Sequence, residues 1–125
     1  MSWAFKNGIP IYQQIVERME LRIAKGELPP GSRIAAVRDL ALEAGVNPNT
    51  MQRALQELER EELVRSERTS GRFVTEDSSV LQALRIRLSD SLIREMFTGL
   101  TSLGLTPDEI VQAVQTWRVH NTAPS

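Results

Sequence analysis

Gly45-Val46-Asn47-Pro48-Asn49-Thr50-Met51-Gln52-Arg53 is the stretch that decides the fold of this chain. An Asn side chain accepts a hydrogen bond from the free amides of a first helical turn, and Pro at the next position gives up no donor that the turn needs. A helix therefore opens at Pro48. Met51, Ala54, Leu55 and Leu58 follow at i, i+3, i+4 and i+7, which makes one buried stripe of a helix over residues 48–62 and turns Asn49, Gln52, Arg53 and Gln56 outward. Upstream, residues 36–44 place Val37, Leu40 and Ala41 on one face and Arg38, Asp39 and Glu43 on the other. Gly45 between the two helices tolerates the left-handed conformation that ends one helix and redirects the next, with Val46 dropping into the core.

Working outward, Leu63-Val64-Arg65-Ser66-Glu67 and Arg72-Phe73-Val74-Thr75 alternate partly and flank a tip containing Gly71, so they form a hairpin. On the other side, Ile11, Ile15, Met19 and Ile23 recur every four residues, and Lys25-Gly26 closes an amphipathic helix over 10–25. Trp3, Phe5 and Tyr12 pack the N-terminal segment onto it. Leu28-Pro29-Pro30-Gly31 cannot continue the helix, and Arg33-Ile34 adds a short strand. Helix, helix, tight turn, helix and ribbon is the order of a winged helix-turn-helix, whose second turn-linked helix offers polar side chains such as Asn49, Thr50, Gln52 and Arg53 to a major groove.

Asp77-Ser78-Ser79 is a polar joint and a helix cap, and the boundary between two domains, 9–76 and 79–120, falls there. Beyond it, Leu81, Leu84, Leu88, Leu92 and Met96 form one apolar stripe, and Ile86, Ile93, Leu100 and Leu103 another. A helix apolar on two sides needs two partners. The expected dimerisation surface is therefore Leu81, Leu84, Leu88, Leu92, Ile93, Met96 and Leu100, and the rival reading of these stripes is a ligand pocket. Gly104 ends the helix; Thr106-Pro107-Asp108-Glu109 is a capping box, with Leu105 and Ile110 as a hydrophobic staple. The last helix is expected to bury Ile110, Val111, Val114 and Trp117, with Trp117 lining a small pocket at the dimer interface, before residues 121–125 fray. The fold class is mainly α with a small β wing: an N-terminal winged helix-turn-helix followed by a C-terminal α-helical hairpin for dimerisation.

At 125 residues the chain holds one or two small domains. The absence of cysteine rules out disulfides, thiolate catalysis and Cys-based zinc sites, and one histidine, His120, builds no His-rich metal cluster within one chain. No nucleophile–base pair and no phosphate-binding glycine loop supports an enzyme, and no cofactor is expected. The start of the chain lacks the apolar run of a signal peptide and no stretch reaches membrane-span length, so the expectation is a cytoplasmic protein without a membrane partner. Net charge is −1, against the usual basic footprint of nucleic-acid binders. Residues 1–76 contain 11 Lys+Arg and 11 Asp+Glu, but the acids gather at Glu57, Glu59, Glu61 and Glu62, read as a solvated helix face. The contact loops carry Arg33, Arg38, Arg53, Arg68 and Arg72 instead.

Residues 9–75 resemble the GntR family of bacterial transcription regulators. The resemblance is carried by Ile9-Pro10-Ile11-Tyr12-Gln13-Gln14-Ile15, Leu28-Pro29-Pro30-Gly31, Val37-Arg38-Asp39-Leu40-Ala41, Gly45 to Thr50, Leu55-Gln56-Glu57-Leu58-Glu59 and Gly71-Arg72-Phe73-Val74. The short helical C-terminal part looks like the YtrA-like branch, in which a helical hairpin dimerises and no large effector domain is attached. The resemblance implies DNA contacts by Arg38, by Asn47, Asn49 and Thr50 at the start of the recognition helix, and by the wing-tip residues Ser70 and Gly71 in the minor groove. Gln52 stands where many members carry a base-reading Arg, which implies a different operator. Arg72 replaces a common Thr, and Ala35-Ala36 replace the usual Pro-Ser, which removes a helix cap unless Ser32 or a bound group compensates.

The resulting expectation is a homodimeric regulator, a repressor, on double-stranded DNA with an inverted-repeat operator. Arg38, Arg53 and Arg72 would supply charge, and Asn49, Thr50 and Gln52 hydrogen bonds. Any small-molecule effector, of unknown identity, would bind at an interface. The alternative is a winged-helix protein-interaction module without specific DNA binding, which the balanced charge favours.

Overall fold

The computed structural model describes residues 3–122. Five helices and three strands follow in the order α1 (Ile11–Ala24), β1 (Arg33–Ile34), α2 (Val37–Ala44), α3 (Pro48–Arg60), β2 (Val64–Glu67), β3 (Gly71–Val74), α4 (Ser78–Ser102) and α5 (Pro107–Asn121). The strands form one antiparallel sheet in the order β1-β3-β2, so the two-residue β1 completes what would otherwise be a marginal hairpin.

Three of the helices start on a side-chain cap. The Asn47 carboxamide accepts the Asn49 amide at 2.7 Å and Pro48 occupies the first turn, which starts α3. Gly45, at φ 73°, ends α2 in the left-handed region. Asp77 accepts both the amide and the hydroxyl of Ser79 at the start of α4, and Thr106 and Glu109 form both bonds of the capping box on α5. α2 starts without such help: Ala36 offers no side-chain cap, and Ser32 spends its hydroxyl on the Pro29 carbonyl.

The chain divides into two compact units between Arg85 and Ile86, so the first turns of α4 belong with the N-terminal unit. The core of that unit is the stripe Ile15, Val16, Met19 and Ile23 of α1 and the stripe Met51, Ala54, Leu55 and Leu58 of α3, closed by Leu40, Ile34, Leu63, Val64 and Val74. Ile11, expected in the α1 stripe, is 44% exposed because it sits on the first turn. Leu81 and Leu84 are buried as well, at 5% and 2% exposure. This corrects their assignment to a dimer surface: they are core residues and unavailable to a partner.

In the second unit Ile110 is fully buried, and Leu105, its expected staple partner, is half-buried. Val111, Val114 and Trp117, expected to be buried, are 48%, 42% and 62% exposed. Leu92 and Ile93 are exposed too, whereas Leu88, Met96 and Leu100 are half-buried. No described helix is long and apolar enough to cross a membrane. The fraying expected of the tail falls in part on residues 123–125, outside those described.

Candidate nucleic-acid interface

The outward face of α3 is assembled by the same periodicity that buries its stripe. Asn47, Asn49, Arg53 and Gln56 are exposed, and Thr50 and Gln52 half-exposed. Arg53 does not extend freely: its guanidinium lies 3.8 Å from the centre of the Tyr12 ring on α1, a cation–π contact that fixes where its charge sits. Arg38 stands exposed on the first turn of α2, next to the uncapped amides. Those amides and the cation place positive potential at the start of α2.

The wing has two faces, set by its register. Val64 pairs with Val74 and Ser66 with Arg72, and these four side chains share the face toward α3. Arg65 pairs with Phe73 on the other face, where its guanidinium lies 5.1 Å from the ring centre, and Arg65 also ion-pairs with Glu67 and Glu76. Glu67 pairs with Gly71, so the exposed tip is Arg68-Thr69-Ser70. Gly71 itself is half-buried at φ 106°, and a Cβ there would come within 3.1 Å of Arg33 Nε. The glycine expected at the wing tip thus lies at the first rung below it, where the backbone conformation favours it.

Arg72, expected as a contact cation, already has a partner: its Nε donates to Glu59 Oε1 at 2.6 Å, and the Ser66 hydroxyl donates to the same oxygen. Burial alone would push the Glu59 carboxyl up, but the hydrogen bonds from Ser66 and Arg72 and the Arg72 charge outweigh it and hold the group below its ordinary value. Glu57 pairs with Arg60 one turn on, at 2.5 Å. The acidic end of α3 is therefore not the plain solvated face that the sequence suggests. Arg33, Arg38, Arg53 and Arg68 take part in none of the described ion pairs. The net charge of −1 hides this sorting, in which Glu57 and Glu59 of α3 are ion-paired while Arg38, Arg53, Arg33 and Arg68 stand outside the described ion pairs on α2, α3, β1 and the wing tip.

The arrangement has relatives. The profile of bacterial regulatory proteins of the gntR family matches residues 11–74. The uncharacterized HTH-type transcriptional regulator YhcF of Bacillus subtilis (strain 168) is 33% identical over 117 residues, covering 94% of this chain and 97% of YhcF. The chain belongs to the GntR family. The HTH-type transcriptional repressor YtrA of the same organism is 37% identical over 73 residues, 58% of this chain and 56% of YtrA, in keeping with a YtrA-like regulator. The solved structure of a GntR family transcriptional regulator from Listeria monocytogenes superposes with a TM-score of 0.79 at 32% identity, covering 90% of this chain and 98% of that one. This GntR protein is thus a DNA-binding transcription regulator and not an enzyme. In its winged helix-turn-helix, α3 is the second of the two turn-linked helices. Tyr12, Ser66 and Glu59 were not expected at this surface from sequence, whereas Arg33 was already among the cations of the contact loops.

Proposed function

We propose that this GntR regulator works as a homodimeric repressor that reads an inverted-repeat operator with two copies of α3. The reading rests above all on the sorted charge: Glu57 and Glu59 of α3 are ion-paired within the protein, while Arg33, Arg38, Arg53 and Arg68 take part in no ion pair among the described residues. Arg38 and the open amides of α2 take one phosphate, Arg53 on Tyr12 a second, and the tip residues Arg68 and Ser70 reach the minor groove. Asn47, Asn49, Thr50 and Gln52 supply hydrogen bonds to bases and phosphates, with Gln52 the principal reader. Arg72 and Gly71 shape the wing that carries the tip.

Dimerisation is supported by the second unit, where Leu92, Ile93, Leu103 and Trp117 are each more than half exposed. Large apolar side chains in that number are rarely left to water on a small unit. Two-fold symmetry of the protein then matches two-fold symmetry of the operator. The name of YtrA supports repression.

Selecting fragments of the source genome on the full chain, then titrating cognate and scrambled duplexes at several salt concentrations, tests the reading. Preference for one inverted repeat, with affinity falling steeply in salt, is the expected result. Equal affinity for both duplexes would reject it in favour of a module that docks on protein.

A further inference from the structure

The Arg72–Glu59–Ser66 cluster joins two elements that the DNA-binding reading above treats as separate contact surfaces. Glu59 lies in the last turn of α3, Ser66 on β2 and Arg72 on β3, the central strand of the sheet. Ser66 and Arg72 are direct cross-strand partners, one rung below the Glu67–Gly71 pair that closes on the tip. Both donate to one oxygen of Glu59, and the two charged side chains are only 21% and 29% exposed. An arginine whose charge is met by a carboxylate at 2.6 Å brings no net charge to a phosphate, so it releases few counterions on binding DNA. A half-buried pair of this kind is costly to break from either side, because the survivor stays desolvated without its partner. That makes it a stiff link.

We propose that Arg72 is a positioning residue: with Ser66 it clamps Glu59 and sets the wing against the recognition helix, so that the Arg68-Thr69-Ser70 tip meets the minor groove while α3 lies in the major groove. The proposal rests on the DNA-binding reading, and its first readout needs no DNA. Glu59 fixes the far end of α3, Asn47 the near end, and the wing takes its direction from the helix rather than from the sheet alone. The acidic end of α3 thereby serves binding although it carries the charge that DNA repels.

The test compares the full-length protein with Arg72→Gln, Glu59→Gln and the double variant, by amide exchange of residues 66–71 in the free protein and by duplex titration against salt. Exchange is expected to speed up about ten-fold in each single variant and no further in the double, as coupled residues behave. Affinity for the selected operator duplex should fall about ten-fold with either substitution, with the slope of log K against log salt unchanged in Arg72→Gln. Where Arg72→Gln failed to fold, Ser66→Ala, which removes one hydrogen bond only, should move both readouts in the same direction. Unchanged wing exchange would overturn the clamp. A slope shallower by about 0.9 in Arg72→Gln alone, with Glu59→Gln binding as tightly as the wild type, would overturn it too, because Arg72 would then be a phosphate contact. Should the wild-type protein fail to discriminate between duplexes, the DNA-binding reading itself falls, and the positioning role falls with it.

Discussion

Two helix starts in this protein differ by one side chain each, and the difference is measurable. Asn47 caps α3, whereas Ala36 leaves the amides of α2 open. Ala36→Ser is expected to raise stability by about 0.5–2 kcal/mol in thermal or denaturant unfolding. Glu62, between α3 and β2, holds φ at 66°, a left-handed conformation that side chains resist. Glu62→Gly should therefore stabilise the fold by roughly 0.5–1 kcal/mol despite the greater freedom of glycine when unfolded, read as a shift in urea midpoint at constant slope. In the proposed complex, Gln52→Ala should relax selection at one operator position by about 1–3 kcal/mol, and an unaltered selected sequence would remove Gln52 from the readers. Caps of this kind are legible in sequence because donor and acceptor lie two or three residues apart. The Arg72–Glu59 pair, thirteen residues apart, is not, since only the packing of the wing against α3 brings it together.

At the scale of elements, α5 hangs on its capping box. The Glu109 carboxylate accepts the Thr106 amide at 2.9 Å, and this bond, with the Thr106 hydroxyl, holds Glu109 below the ordinary carboxylate value. A group whose folded value is depressed contributes stability that is fully present above the unfolded value, near 4.5, and is lost as pH falls through the lower folded one. Helix content of the second unit is thus expected to hold from neutral pH to about 5 and to decline below 4.5, while Glu109→Gln, an acceptor without charge, should show a flatter profile by circular dichroism. The helix bounds of α3 and α5 were readable from punctuation: Asn-Pro, Gly and the capping box act within one turn. The short β1 was readable too, as Arg33-Ile34 between a turn and a helix. What sequence misplaced was Gly71, expected on the tip and found one rung lower, because a glycine marks a special φ without saying which residue of the turn carries it.

For the whole molecule, two leucines of α4 separate folding from the proposed association. Leu84 is 2% exposed, and Leu84→Ala is expected to cost about 2–5 kcal/mol of stability in the N-terminal unit. Leu92 is 64% exposed, so Leu92→Glu should leave that unit folded yet yield monomers of little operator affinity by sedimentation and titration. An unchanged dimer in Leu92→Glu would move the interface elsewhere on the unit. Periodicity alone placed both leucines in one stripe, because a helix shows the same repeat whether a stripe meets its own domain or another chain. By itself the sequence determined what is local: where helices start and stop, which side of α3 is apolar, and that a hairpin follows. Only the tertiary structure decided which apolar residues of α4 are spent inside the chain, that Tyr12 holds Arg53, and that Glu59 is committed to the wing. Those outcomes depend on contacts between residues far apart along the chain, and no spacing in the sequence encodes such distances until the core has packed.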